Sequence, residues 1–73
     1  MTYMFDYSKL RGKIREHGFT QEGLAKELNV APATLSLKLN NTSEFTQSEI
    51  REICGLLNIS GKEISDYFFS RKV

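Results

Sequence analysis

This chain of 73 residues holds very little that can do covalent chemistry. Its one cysteine has no partner for an internal disulfide, which suits a reducing cytoplasm. With one histidine, no glycine-rich phosphate loop and no paired metal ligands, no catalytic constellation can be assembled. We therefore expect neither an enzyme nor a cofactor, metal or small-molecule ligand. No apolar run approaches the roughly 20 residues needed to cross a bilayer. The opening "MTYMFDYSKL" places an acid where a signal peptide needs an uninterrupted apolar stretch. A charge excess of one sign is missing too: 10 Lys and Arg oppose 9 Asp and Glu, a formal net charge of +1. That balance does not announce nucleic acid; a binder would have to segregate its charge.

What is present is ordinary globular composition, 40% hydrophobic and 26% charged, which excludes a disordered chain. The length allows one small domain, residues 1–73, of modest stability, with no repeat, low-complexity tract or linker. No room is expected for an effector pocket or self-cleavage domain. The charge is mildly segregated. Lys9, Arg11, Lys13, Arg15, Lys26 and Lys38 face four acids through Asn40, whereas four bases face five acids beyond it. Four of these bases crowd the first helix, a pattern that a plain solvated face also produces.

Local punctuation predicts about five helices and no strand. Asp6 or Ser8 can cap the first, which holds Leu10 and Ile14 one turn apart and stops at His17-Gly18. Thr20 caps the second, with Leu24, Ala25 and Leu28 on one face and Gly23 as a cost of roughly 1 kcal/mol. "NVAP" breaks it, because Asn29 tolerates the left-handed conformation and Pro32 suits a first helical turn. Thr46-Gln47-Ser48-Glu49 and Ser60-Gly61-Lys62-Glu63 match the capping box, so each starts a helix. Ile50, Ile53, Cys54 and Leu57 line the inner face of the fourth helix. Phe19, Val30, Leu35, Leu39, Phe45 and Ile59 are expected to complete the core with them. Cys54 reads as packing, and His17 as a helix-terminal residue favoured by the dipole.

The third helix is the informative one. If Leu35 and Leu39 face inward, a rotation of 100° per residue puts Ala33, Ser36, Leu37 and Asn40 on the opposite side. A short helix, a turn of about three or four residues and a second short helix with a free outer face form the layout of a helix-turn-helix.

The stretch "TQEGLAKELNVAPATLSLKLNN" resembles the helix-turn-helix of the Cro and lambda-repressor-like superfamily, including the xenobiotic-response-element regulators. Thr20, Gln21, Leu24, Ala25, Val30, Thr34, Leu35 and Ser36 fill the family's pattern. "EFTQSEIREICGLLNIS" is similar to the following segment, and "ISDYFF" to the ending of short Cro-like proteins of Gram-positive phages and prophages. The resemblance spans roughly residues 7–69. It implies an all-α, five-helix lambda-repressor-like domain with the helix-turn-helix at about residues 20–40. It also implies a transcriptional repressor in the bacterial host cytoplasm, acting on double-stranded operator DNA.

Carried over residue by residue, the resemblance places Pro32, Ala33, Ser36 and Leu37 against bases. It places Thr20, Gln21, Thr34, Lys38, Asn40 and Asn41 against phosphate or in mixed contacts, with Gln21 and the amides of the second helix fixing the docking angle. Here the chain departs from better-known members, which often carry glutamine or another polar group at the main reading positions. Proline, alanine and leucine offer no bidentate pairing, so thymine methyls are the natural target of Ala33 and Leu37. Phosphate contacts and DNA deformability supply the remainder. Asn29 and Asn41 stand where the family often has glycine, which asparagine replaces at small cost.

Ile64, Tyr67 and Phe68 share a face of the last helix while Phe69 points elsewhere. All of them can finish the core. Alternatively Phe69, with Tyr67, makes a two-fold contact between subunits, as the last helix does in related proteins. A homodimer, at least on DNA, would set two recognition helices roughly 34 Å apart. A different function also fits: a protein-interaction module, antirepressor-like, that keeps the fold without operator binding. The apolar recognition face and near-neutral charge favour it.

Overall fold

The computed structural model describes residues 4–71. Five α-helices succeed one another: α1 (Ser8–Glu16), α2 (Gln21–Glu27), α3 (Pro32–Leu39), α4 (Gln47–Leu57) and α5 (Ile64–Phe68). A 3-10 turn at Gly61–Glu63 leads into α5. Among the described residues no strand forms, and Phe5 and Arg71 meet in an isolated antiparallel bridge. The all-helical class expected from the sequence is the class observed.

The helix ends follow from their caps. Asp6, not Ser8, supplies the acceptor at the start of α1, its Oδ1 taking the Ser8 N–H at 2.9 Å. The Thr20 hydroxyl accepts the Gly23 N–H at 2.9 Å. A Cβ on residue 23 would stand 3.2 Å from that same hydroxyl, so glycine lets the cap close. Gly18, Asn29 and Asn41 all adopt positive φ (78°, 58° and 64°), as their sequence positions predict. Asn58 does the same at 56°, ending α4. Both capping boxes form, although the one at Ser60 opens the 3-10 turn rather than a full helix.

The core is built from Leu10, Ile14, Leu24, Ala25, Leu28, Leu35, Leu39, Ile53, Leu57 and Ile59. Phe19, Val30, Phe45, Ile50 and Cys54, expected inside, are only partly buried and pack around it. Burial pushes the Cys54 thiol up, so it stays protonated as packing material. Tyr7 joins the core as well, and Tyr67 and Phe68 take the core places that were one of their two readings. Tyr7 meets Phe45 edge-on at 5.5 Å between ring centroids, and Phe45 meets Phe68 in the same way at 5.5 Å. α2 packs on α3, and α1 on α5. Thus α3 is supported along its inner face while its outer face is left open.

Candidate functional site

α3 begins with Pro32 after an extended Ala31, a position where the missing N–H leaves nothing unsatisfied. Four residues separate α2 from α3, with the Val30 N–H returning to the Ala25 carbonyl at 3.0 Å to tighten the turn. Leu35 and Leu39 anchor the helix inward. Outward stand Pro32, Ala33, Leu37 and Asn40, all exposed, with Thr34 and Ser36 half-buried at the flanks. Leu37 is the protruding member, 48% exposed. The sequence reading and the structure therefore agree on which residues of α3 stand outward, apart from Lys38, and two further predicted site residues outside α3 are also placed differently.

Lys38 is the first correction. It was expected at the surface, yet it is 7% exposed and its ammonium pairs with Glu49 on α4. Burial raises the Glu49 carboxyl, but hydrogen bonds from Lys38 and the Thr46 N–H, with the Lys38 charge, lower it further. The carboxylate is thus ionised and committed to Lys38 and to the α4 capping box together. Lys38 is the one charged side chain in "PATLSLKL", so pairing it leaves the face without an outward charge of its own.

Asn41 is the second. Its side-chain amide grips one backbone unit: Oδ1 accepts the Phe5 N–H at 2.8 Å and Nδ2 donates to the Phe5 carbonyl at 2.9 Å. That clamp holds the N-terminal arm and occupies the groups expected to reach DNA. Tyr67, on α5, is the third: it is drawn into the core, with the Lys9 ammonium 4.8 Å from its ring centroid. Its neighbour Phe69 is 51% exposed, as expected.

Two residues matter here that the sequence reading had not singled out. Arg11 reaches from α1 to the end of α3, donating to the Leu39 carbonyl at 3.2 Å and to Asn40 Oδ1 at 3.0 Å. A cation on the last carbonyls of a helix suits the dipole. Glu49 is the other, visible in the sequence as a capping residue but not as the partner of Lys38. Beside α3, a cleft of ≈ 250 Å³ gathers Arg11, Arg15, Phe19, Thr20, Gln21 and Leu39. Thr20 and Gln21 therefore do sit together, next to two guanidinium groups.

A family model described as "Protein of unknown function (DUF739)" matches residues 1–71. The chain belongs to the DUF739 family. Among solved structures it is similar to the solution structure of the modulator of repression (MOR) of the temperate bacteriophage TP901-1 from Lactococcus lactis. The identity is 37%, the TM-score 0.77, and the match covers 89% of this chain and 88% of that one. No curated protein matches. This DUF739 chain therefore shares its fold with a small phage regulatory protein, which is the coarser half of what the sequence led us to expect. No helix among its described residues is long and apolar enough to cross a membrane.

Proposed function

We propose that this protein is a phage transcriptional regulator on a Cro-like helix-turn-helix, and that its α3 face docks onto another regulatory protein. The partner is the DNA-binding part of a phage repressor, whose repression the contact modulates. One observation carries this reading: Glu49 neutralises the cation of α3 inside the protein, leaving Leu37, Ala33 and Pro32 as the outward surface. Affinity for DNA comes largely from cations that displace counterions from phosphate, and base readout from hydrogen-bonding side chains. The outward side of α3 is poor in both. An exposed leucine among small apolar residues, ringed by Thr34, Ser36 and Asn40, instead matches the dry centre and polar rim of a protein interface. That the solved neighbour is called a modulator of repression supports the same reading.

A second reading has its own support. The cleft with Arg11, Arg15, Thr20 and Gln21 would offer guanidinium and polar groups to a sugar-phosphate strand if α3 entered a major groove. Ala33 and Leu37 would then touch thymine methyls, and exposed Phe69 would join two copies on an operator. Titration of the protein into a cognate phage repressor bound to its operator, at several salt concentrations, separates the two. Protein docking predicts a changed repressor–DNA complex and weak retention on DNA alone. Operator binding predicts retention of this chain on DNA without the repressor, falling steeply with salt, and weaker binding when contacted thymines become uracil.

A further inference from the structure

Glu49 lies on α4 and not on the outward face, yet it controls the charge that face presents. The capping box holds its carboxylate: Oε1 accepts the Thr46 N–H at 2.8 Å, and the Glu49 N–H donates to Thr46 Oγ1 at 3.2 Å. The same Oε1 receives the Lys38 ammonium. The acceptor is thus fixed by its own helix, so only the lysine chain has to be ordered for the pair to form. Side-chain exposures of 9% for Lys38 and 14% for Glu49 keep salt from screening the contact as it would on the surface.

We infer that Glu49 is a specificity-determining residue: by holding Lys38 inside, it selects protein over nucleic-acid phosphate as the partner of the α3 face. Without its charge, a lone ammonium in that place is unfavourable. The four-carbon stem of lysine lets the charge move to water while its methylenes stay packed, emerging along the half-buried flank of Thr34 one turn earlier. The face that carried no outward charge then carries a cation one residue from Leu37. The inference rests on reading the α3 face as a protein-docking surface.

The test compares retention of five forms on random-sequence duplex DNA across a salt titration: wild type, Glu49→Gln, Glu49→Asp, Glu49→Gln with Lys38→Met, and Glu52→Gln. Glutamine keeps the carbonyl oxygen that the capping box needs. Aspartate keeps the charge and shortens its reach. Glu52, exposed on the same helix, makes the same change in net charge outside the capping box that holds the Lys38 acceptor. We expect Glu49→Gln to steepen the dependence of log affinity on log salt by about 0.9, or roughly 3–4-fold more loss over a fourfold rise in salt. Glu49→Asp lies between it and wild type, while the double variant and Glu52→Gln stay at the wild-type slope. Amine labelling of Lys38, read by mass spectrometry on the same samples, rises in the same order. If Glu49→Gln fails to fold, Glu49→Asp carries both measurements. Slopes and labelling equal to wild type in the Glu49 variants, or a gain that survives Lys38→Met, overturn the inference. Steep DNA binding by the wild type, with no effect on a repressor, overturns the docking reading instead, and the difference between Glu49→Gln and the double variant still reports on Glu49.

Discussion

Leu37 on α3 and Phe69 after α5 are exposed apolar side chains at separate places on this molecule, and their settings differ. Leu37 sits on a helix tied down along its length. Lys38 fastens it to α4, Arg11 caps its end, and Asn41 locks the following turn to the N-terminal arm. Phe69 stands at the lip of an aromatic cleft of ≈ 260 Å³, with Phe5 edge-on at 5.8 Å and Phe45, Phe68 and Ile50 behind. The first is a small protrusion on a rigid support, suited to entering a groove in something else. The second is concave and joins the N-terminal arm to the segment after α5, which meet through the Phe5–Arg71 bridge and the Asp6 N–H on the Ser70 carbonyl at 2.7 Å. Exposure alone does not distinguish such sites; what lies beneath the side chain does.

The adjacent phenylalanines at the end of α5 give the largest effect. Phe68→Ala is expected to cost about 3–5 kcal/mol of unfolding free energy, since its ring is wholly inside. Phe69→Ala should cost less than about 1 kcal/mol. Urea denaturation of both variants checks this, and equal losses would break the division between a buried and an exposed ring.

Next comes the support beneath Leu37. A double-mutant cycle on Lys38→Met and Glu49→Gln is expected to give a coupling of about 1–3 kcal/mol. Its pH dependence has a definite sign. The Glu49 carboxyl is held below its ordinary 4.5, so in the acidic window beneath that value the unfolded chain binds more protons. The contribution is complete above 4.5 and fades as pH falls through the lower folded value, and the double variant should lose this part of the acid limb. Glu63, lowered chiefly by its hydrogen bonds to the Ser60 backbone, adds a slope of the same sign in both proteins.

A smaller effect isolates the clamp at the far end of α3. Asn41→Gly keeps the positive φ and removes only the amide, so it is expected to cost about 1–2 kcal/mol, from two hydrogen bonds. Asn41→Ala should cost about 1 kcal/mol more, because alanine resists the left-handed region. Thermal melts of the two, compared with wild type, separate backbone strain from the clamp. No loss in the glycine variant would mean that the arm does not need Asn41.

These contrasts explain which features the sequence reveals. Gly18, Asn29, Thr20 and the Thr46–Glu49 box act within a turn of their own positions, so spacing alone exposes them. The apolar stripe of α4 and the inward pair Leu35 and Leu39 are legible for the same reason, through helical periodicity. Lys38 was placed wrongly because its partner lies 11 positions away on another helix, and no local pattern encodes that meeting. The Asn41 clamp spans 36 positions and escapes for the same reason. Tyr7 went unrecognised as core, and Tyr67 stayed open between core and subunit contact, because amphipathic aromatics fit a surface or an interior equally well until α1, α5 and Phe45 close over them. The outward membership of α3 was legible, but its electrical neutrality was not.

The most direct test of the central claim is Leu37→Arg, which leaves the core untouched and adds a cation to the outward face. The folded variant and wild type would be titrated in parallel against a cognate phage repressor domain and against operator DNA. Protein docking predicts that the substitution weakens repressor binding by tenfold or more, the scale of one interface anchor at ~1.4 kcal/mol or above, while DNA retention rises. Unchanged repressor binding, with loss of sequence-specific DNA binding that the wild type possesses, would contradict it.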